Sequence, residues 1–189
     1  MPECTTTTGP IGRTVLRRLV VRRAPGRPSI GLLAAGGRVL PCALGRSGTT
    51  TRKREGDGAT PGYAVLRPLW AYWRADRGGR PATALPVRRT AHTDGWCDAP
   101  GHPAYNRPVR LPFVASHETI WRTDHLYDIC VVLDWNVVPG RRRNAGSAIF
   151  MHLVRPGYAP TAGCIALARD DLVWLLARMD RHTRIAVCG

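Results

Sequence analysis

A chain of 189 residues is long enough to bury one core of ordinary domain size, and 44% hydrophobic residues exclude a compositionally disordered protein. Sixteen prolines and twenty glycines favour a loop-rich, strand-rich fold over a helical bundle. The net charge of +15 comes from 28 basic against 13 acidic residues, but every basic residue except Lys53 is arginine; these are scattered, no nucleic-acid motif accompanies them, and nucleic acid is not the expected partner.

Residues 1–12 read as a disordered tail, followed by a single domain over 13–189. In the first 28 residues the longest apolar stretch, Leu19-Val20-Val21, is too short for a signal-peptide core. No run approaches the ~20 residues of a membrane span. Alternating and β-branched apolar positions predict an opening strand over 13–23. Strands over 30–34 and 38–44 flank Ala35-Gly36-Gly37, a hairpin turn. Residues 45–62 form a polar, glycine-rich loop ending in Thr60-Pro61. A strand resumes over 63–70, with Pro68 placing its end near an edge or bend.

Residues 74–118 read as one long irregular segment, and a loop of that length inside a domain is usually functional; here it would roof a site. Two strong β runs follow, over 126–133 and 147–154. In the second, alternation puts His152 with Ala148, Phe150 and Val154, opposite Ile149, Met151 and Leu153. One helix is predicted over about 170–181: Leu172, Leu175, Leu176 and Met179 form an apolar stripe, and Asp170 and Asp171 sit at the positive end. A closing strand covers 185–188. The fold expected is mostly β, a single-domain curved sandwich or barrel with one packed C-terminal helix.

The chemistry concentrates in residues 150–167. His152 lies inside an apolar strand, a Gly/Pro-punctuated loop follows, and Cys164 comes next in Thr161-Ala162-Gly163-Cys164. A cysteine attacks as its thiolate, and a nearby imidazole is the usual means of making one near neutral pH. Cys164 is therefore the expected nucleophile, with a raised thiolate fraction, and His152 its base. Gly163 and Thr161 are expected to support the loop and the oxyanion formed on attack. The six cysteines include no Cys-x-x-Cys, so no disulfide framework is expected. The scattered His/Cys set matches no zinc spacing, so neither a metal nor a cofactor is expected.

His, a short loop, then Ser/Thr-x-Gly-Cys-Ile/Val resembles the active-site signature of the L,D-transpeptidase (YkuD-type) catalytic domain. Residues 54–62, Arg54-Glu55-Gly56-Asp57-Gly58-Ala59-Thr60-Pro61-Gly62, resemble that family's Gly-Asp-x-x-Thr-Pro-x-Gly element about a hundred residues upstream. The chain resembles most a short subgroup whose site reads Gly-Cys-Ile/Val-Ala-Leu. It departs where the family often carries a basic residue two positions after the cysteine, here Ala166, and a histidine two before it, here Ala162.

The resemblance implies the same fold and acyl transfer on peptidoglycan stem peptides through a Cys164 thioester. It also implies a cell-envelope location, although no signal peptide is read here and a cytoplasmic role stays open. The same Cys–His pair with water as acceptor would be an L,D-carboxypeptidase or amidase. A non-catalytic basic polymer-binding module is the alternative from another class. Arg155 is a candidate for the carboxylate contact missing at Ala166, and His117 and Tyr127 are candidates for the substrate cleft. Asp57 and Thr60 read as a loop-fixing turn.

Overall fold

The computed structural model describes residues 7–8, 14–137 and 140–189. Most of the expected tail, residues 1–6 and 9–12, lies outside the described residues. The strands of the main sheet are β1 (Arg18–Ala24), β2 (Arg27–Ala35), β3 (Arg38–Ala43), β4 (Ala64–Leu66), β5 (Pro68–Trp73) and β6 (Val87–Arg89). A small sheet follows, made of β7 (Asp94–Cys97), β8 (Arg107–Arg110) and β9 (His117–Thr119). The chain then returns to the main sheet with β10 (Ile129–Leu133), β11 (Phe150–Leu153), β12 (Ile165–Leu167), helix α1 (Arg169–Leu176) and β13 (Arg184–Val187). Gly36 and Gly37, at φ 52° and 81°, make the tight β2–β3 turn, whose two positive φ values match the twist of the flanking strands.

The ten-stranded order is β6-β5-β10-β11-β12-β3-β2-β1-β13-β4. Arg67 alone separates β4, at one edge, from β5, one in from the other. In a flat sheet those strands would lie roughly 38 Å apart, so the sheet must curl until its ends meet. Arg67 and Asp134 fasten the seam. The Arg67 N–H and Nε donate to the two Asp134 carboxylate oxygens at 2.7 Å each, and the Asp134 N–H donates to the Arg67 carbonyl at 3.0 Å. The result is the mostly-β, single-domain curled sheet expected, with one helix packed on it.

Two apolar clusters occupy opposite faces of the central strands. The first holds Leu19, Val21, Leu33, Met151, Leu153 and Ile185 with the buried helix residues Leu172, Leu175 and Leu176. The second holds Tyr72, Trp96, Tyr127, Cys130, Phe150 and Cys164. Strand β11 divides its side chains between them as alternation requires: Met151 and Leu153 to one, Phe150 to the other. Trp96 of the small sheet meets Phe150 edge-on at 5.2 Å, so that sheet roofs the second cluster.

The structure corrects several boundaries. Residues 74–118 contain four short strands; each has only three or four residues, too few to show a period in sequence. Pro68 begins a strand instead of ending one, a position where the missing N–H costs no ladder bond. The helix stops at Leu176, five residues early. The Arg178 N–H turns back to the Leu175 carbonyl, and Met179 is buried from that turn.

Asn106 locks the roof in place. Buried at φ 53°, its side-chain oxygen accepts the Trp96 Nε1–H at 2.8 Å and the Ala148 N–H at 3.1 Å. Its amide nitrogen donates to the carbonyls of Trp135 and Asn136 at 3.1 and 2.9 Å. Removing it strands several buried polar groups, so Asn106→Ala is expected to cost about 3 kcal/mol in urea denaturation. A loss below about 1 kcal/mol would show that the roof is held by apolar packing alone.

Candidate active site

Strands β11 and β12 run parallel, with Met151 opposite Ile165 and His152 opposite Ala166. One step back in this register Cys164 lies beside Phe150, and the Phe150 N–H donates to its Sγ at 3.3 Å. Residues two apart on a strand share a face, so Cys164 and Ala166 share one with Phe150 and His152. Cys164 and His152 are thereby diagonal neighbours on adjacent strands. Both line a cavity of about 230 Å³.

Backbone carbonyls hold the two side chains. The Cys164 thiol donates to the Ala148 carbonyl at 3.2 Å. His152 Nδ1 lies 2.8 Å from the Leu153 carbonyl; a carbonyl only accepts, so Nδ1 carries the proton and Nε2 keeps its lone pair. Tyr127 packs edge-on against the imidazole at 5.2 Å.

Burial sets the proton states. It pushes the Cys164 thiol up to about 12, outweighing the Phe150 N–H, which favours the thiolate. It also pushes His152 down to about 4, against the Leu153 carbonyl, which favours the cation. The resting pair is therefore neutral thiol and neutral imidazole, not the enriched thiolate expected from sequence. The expectation fails because burial disfavours both ions of the pair at once.

The loop carrying Cys164 is tied from within. Thr161 Oγ1 donates to the Cys164 carbonyl at 2.8 Å and accepts the Gly163 N–H at 3.1 Å. Thr161 thus fixes the loop, and the engaged Gly163 amide supports it too. Gly163 has φ 138°, and a Cβ there would come within 2.8 Å of the Ala59 carbonyl oxygen. That contact joins the two sequence elements singled out above. Asp57 braces the Ala59 side: its carboxylate accepts the N–H groups of Arg54 and Ala59 at 2.8 and 2.9 Å and the Lys53 ammonium at 2.5 Å. Burial works to raise the Asp57 carboxyl, but these bonds hold it below the ordinary value. Thr60 Oγ1 accepts the Gly45 N–H at 2.9 Å, and Gly45 bridges to Thr161.

Arg155 is exposed and lines the cavity. Tyr127 lines it as well, its hydroxyl donating to Glu118 Oε1 at 3.0 Å. His117 does not join them; its Nδ1 lies 2.8 Å from the Ala115 carbonyl, and its neighbour Glu118 lines the cavity in its place. Sequence reasoning also missed Lys53 and Asp98, both in the cavity wall. Their strand β9 has three residues, too few to show a period that would separate Glu118 from His117 in sequence.

Residues 30–187 match the model of the L,D-transpeptidase catalytic domain, YkuD. The chain belongs to that family. A search of curated proteins returns no match. The solved structure of Mycobacterium tuberculosis L,D-transpeptidase 1 aligns at 14% identity and TM-score 0.38 over 91% of this chain and 62% of that one. This L,D-transpeptidase-family chain thus spans less than two thirds of that protein's length.

The neutral pair has a kinetic consequence. Attack from a thiol needs an unprotonated imidazole to take its proton; falling pH removes that base only near about 4, and the thiol ionises without it only near about 12. Acylation of Cys164 by an uncharged activated ester, followed by stopped-flow, is therefore expected to be level from about pH 5.5 to 8.5. A limb with an apparent pKa near the ordinary histidine value contradicts the burial-set proton states.

Proposed function

We propose that this protein transfers acyl groups of peptidoglycan stem peptides through a thioester on Cys164. The observation that carries this reading is the diagonal placement of Cys164 and His152 in one cavity, each oriented by a backbone carbonyl. As Sγ attacks the scissile carbonyl, His152 Nε2 takes its proton, so no free thiolate has to exist beforehand. The imidazolium then protonates the leaving amine, leaving the acyl group on sulfur. A second stem's amine attacks that thioester and closes a cross-link, the L,D-transpeptidase outcome; water in its place gives the carboxypeptidase outcome. Arg155 at the cavity edge stands near enough to His152 to disfavour its cation and is suited to receive a substrate carboxylate, the contact Ala166 does not make. Such a substrate would put the protein's work at the cell envelope.

Intact-protein mass spectrometry after incubation with defined muropeptides tests this. A mass increase of one acyl group on the Cys164 peptide, absent in Cys164→Ala, is the expected result. His152→Ala is expected to lower turnover about a thousandfold, and the double variant no further, because the two act as a unit. Salt-sensitive polymer binding with no adduct and no product would instead identify a basic binding module.

A further inference from the structure

The site as described holds one base, and an amine acceptor has two protons to lose. An alkyl amine with a pKa of about 10.4 arrives near neutral pH as ammonium. One proton must leave before nitrogen has a lone pair for attack. The other leaves the tetrahedral adduct, and His152 passes it to the Cys164 sulfur as the C–S bond breaks. Water as acceptor needs only this second transfer. Aminolysis of the thioester therefore calls for another proton acceptor in the cavity.

Glu118 occupies that position. It sits in β9, lines the cavity, and its Oε1 accepts the Tyr127 hydroxyl at 3.0 Å and one Arg122 nitrogen at 3.4 Å. Its other oxygen has no hydrogen bond among the described residues. Arg122 is only a partial counterion, because its Nε and other terminal nitrogen are committed to Asp124 at 2.8 and 2.7 Å. Asp98 lines the same cavity with Oδ1 buried and, among the described residues, without a hydrogen-bond partner. Tyr127 links this end to the chemistry, with its hydroxyl on Glu118 and its ring edge against His152. In a chain of net charge +15, two under-compensated carboxylates facing one cavity are suited to a cation.

We propose that Glu118 is the base for the acceptor amine: its carboxylate, beside Asp98, binds the incoming ammonium and takes the first proton. The neutral amine then attacks the thioester carbonyl, the C–N bond forms, the C–S bond breaks, and His152 carries the nitrogen's second proton to sulfur. The amide leaves, Cys164 is again a thiol, and protonated Glu118 returns its proton to solvent. This assignment rests on the Cys164 thioester proposed above. The groups acting on Glu118 are Tyr127, Arg122, Asp98 and Asp124; burial comes first and raises its carboxyl above the ordinary value, as a proton acceptor for an amine requires.

Two acceptors offered together to the acyl-enzyme test it: Nα-acetyl-lysinamide, which arrives as ammonium, and hydroxylamine, already neutral at pH 7. Glu118→Gln keeps an acceptor for the Tyr127 hydroxyl and is expected to lower the ratio of lysinamide to hydroxylamine product about a hundredfold near neutral pH. The deficit should shrink as pH rises toward the amine's own pKa of about 10.4, where solvent removes the first proton. Because both products come from the same acyl-enzyme molecules, a partly folded variant does not distort the ratio. An unchanged ratio, or a deficit that stays constant with pH, overturns the role of Glu118 while the Cys164 thioester stands. Failure of the parent protein to form any acyl-enzyme removes the thioester reading itself, and this inference with it.

Discussion

Parallel pairing of β11 with β12 is the constraint on which the site depends. A slip of one residue in that register would turn Cys164 or His152 to the opposite face, into the helix-packed core. Parallel neighbours usually need a crossover of a dozen or more residues, often helical. Here residues 154–164 make it without an α-helix, as a loop with one short 3-10 turn at Pro156–Tyr158. That loop has to end in a fixed shape for the register to hold. Thr161 clasps it internally, and Gly163 admits the Ala59 carbonyl where any side chain would collide. The segment braced by Asp57 is thus part of the foundation of the Cys164 loop, although about a hundred residues separate them in sequence.

The electrostatics follow from the same burial. Both reactive groups sit at the edge of an apolar cluster formed by Tyr127, Cys130 and Phe150, where neither ion is well solvated. Carbonyl partners suit a neutral thiol and a neutral Nδ1–H imidazole, since each donates one hydrogen. In the proposed reaction, charge therefore separates only as Sγ attacks. The cavity wall is not uniformly basic either: Lys53 and Arg155 stand in it together with Glu118 and Asp98. Composition alone would have forecast a basic cleft.

What could be read in the sequence was local. The β11 alternation, the Gly36-Gly37 turn, the helix stripe and the His152–Cys164 spacing each depend on neighbours within a few residues, and the structure has each of them. What could not be read depends on distant pairing. The seam between Arg67 and Asp134 joins residues 67 apart, and Asn106 ties Trp96 to Ala148 from a segment that reads as irregular. Strand β9 is three residues long, too short to reveal in sequence which of His117 and Glu118 faces the cavity. The proton state of Cys164 was inaccessible for a different reason: a His–Cys pair in sequence carries no information about how much solvent reaches it.

The central claim is that catalysis starts from a neutral pair held by carbonyls, and nitrogen-15 NMR of the His152 ring reads it directly. The account predicts a neutral ring protonated at Nδ1 at pH 7, with protonation setting in only as pH falls toward about 4. A doubly protonated ring at neutral pH, reverting to neutral in Cys164→Ala, would reveal a preformed thiolate–imidazolium pair and contradict it.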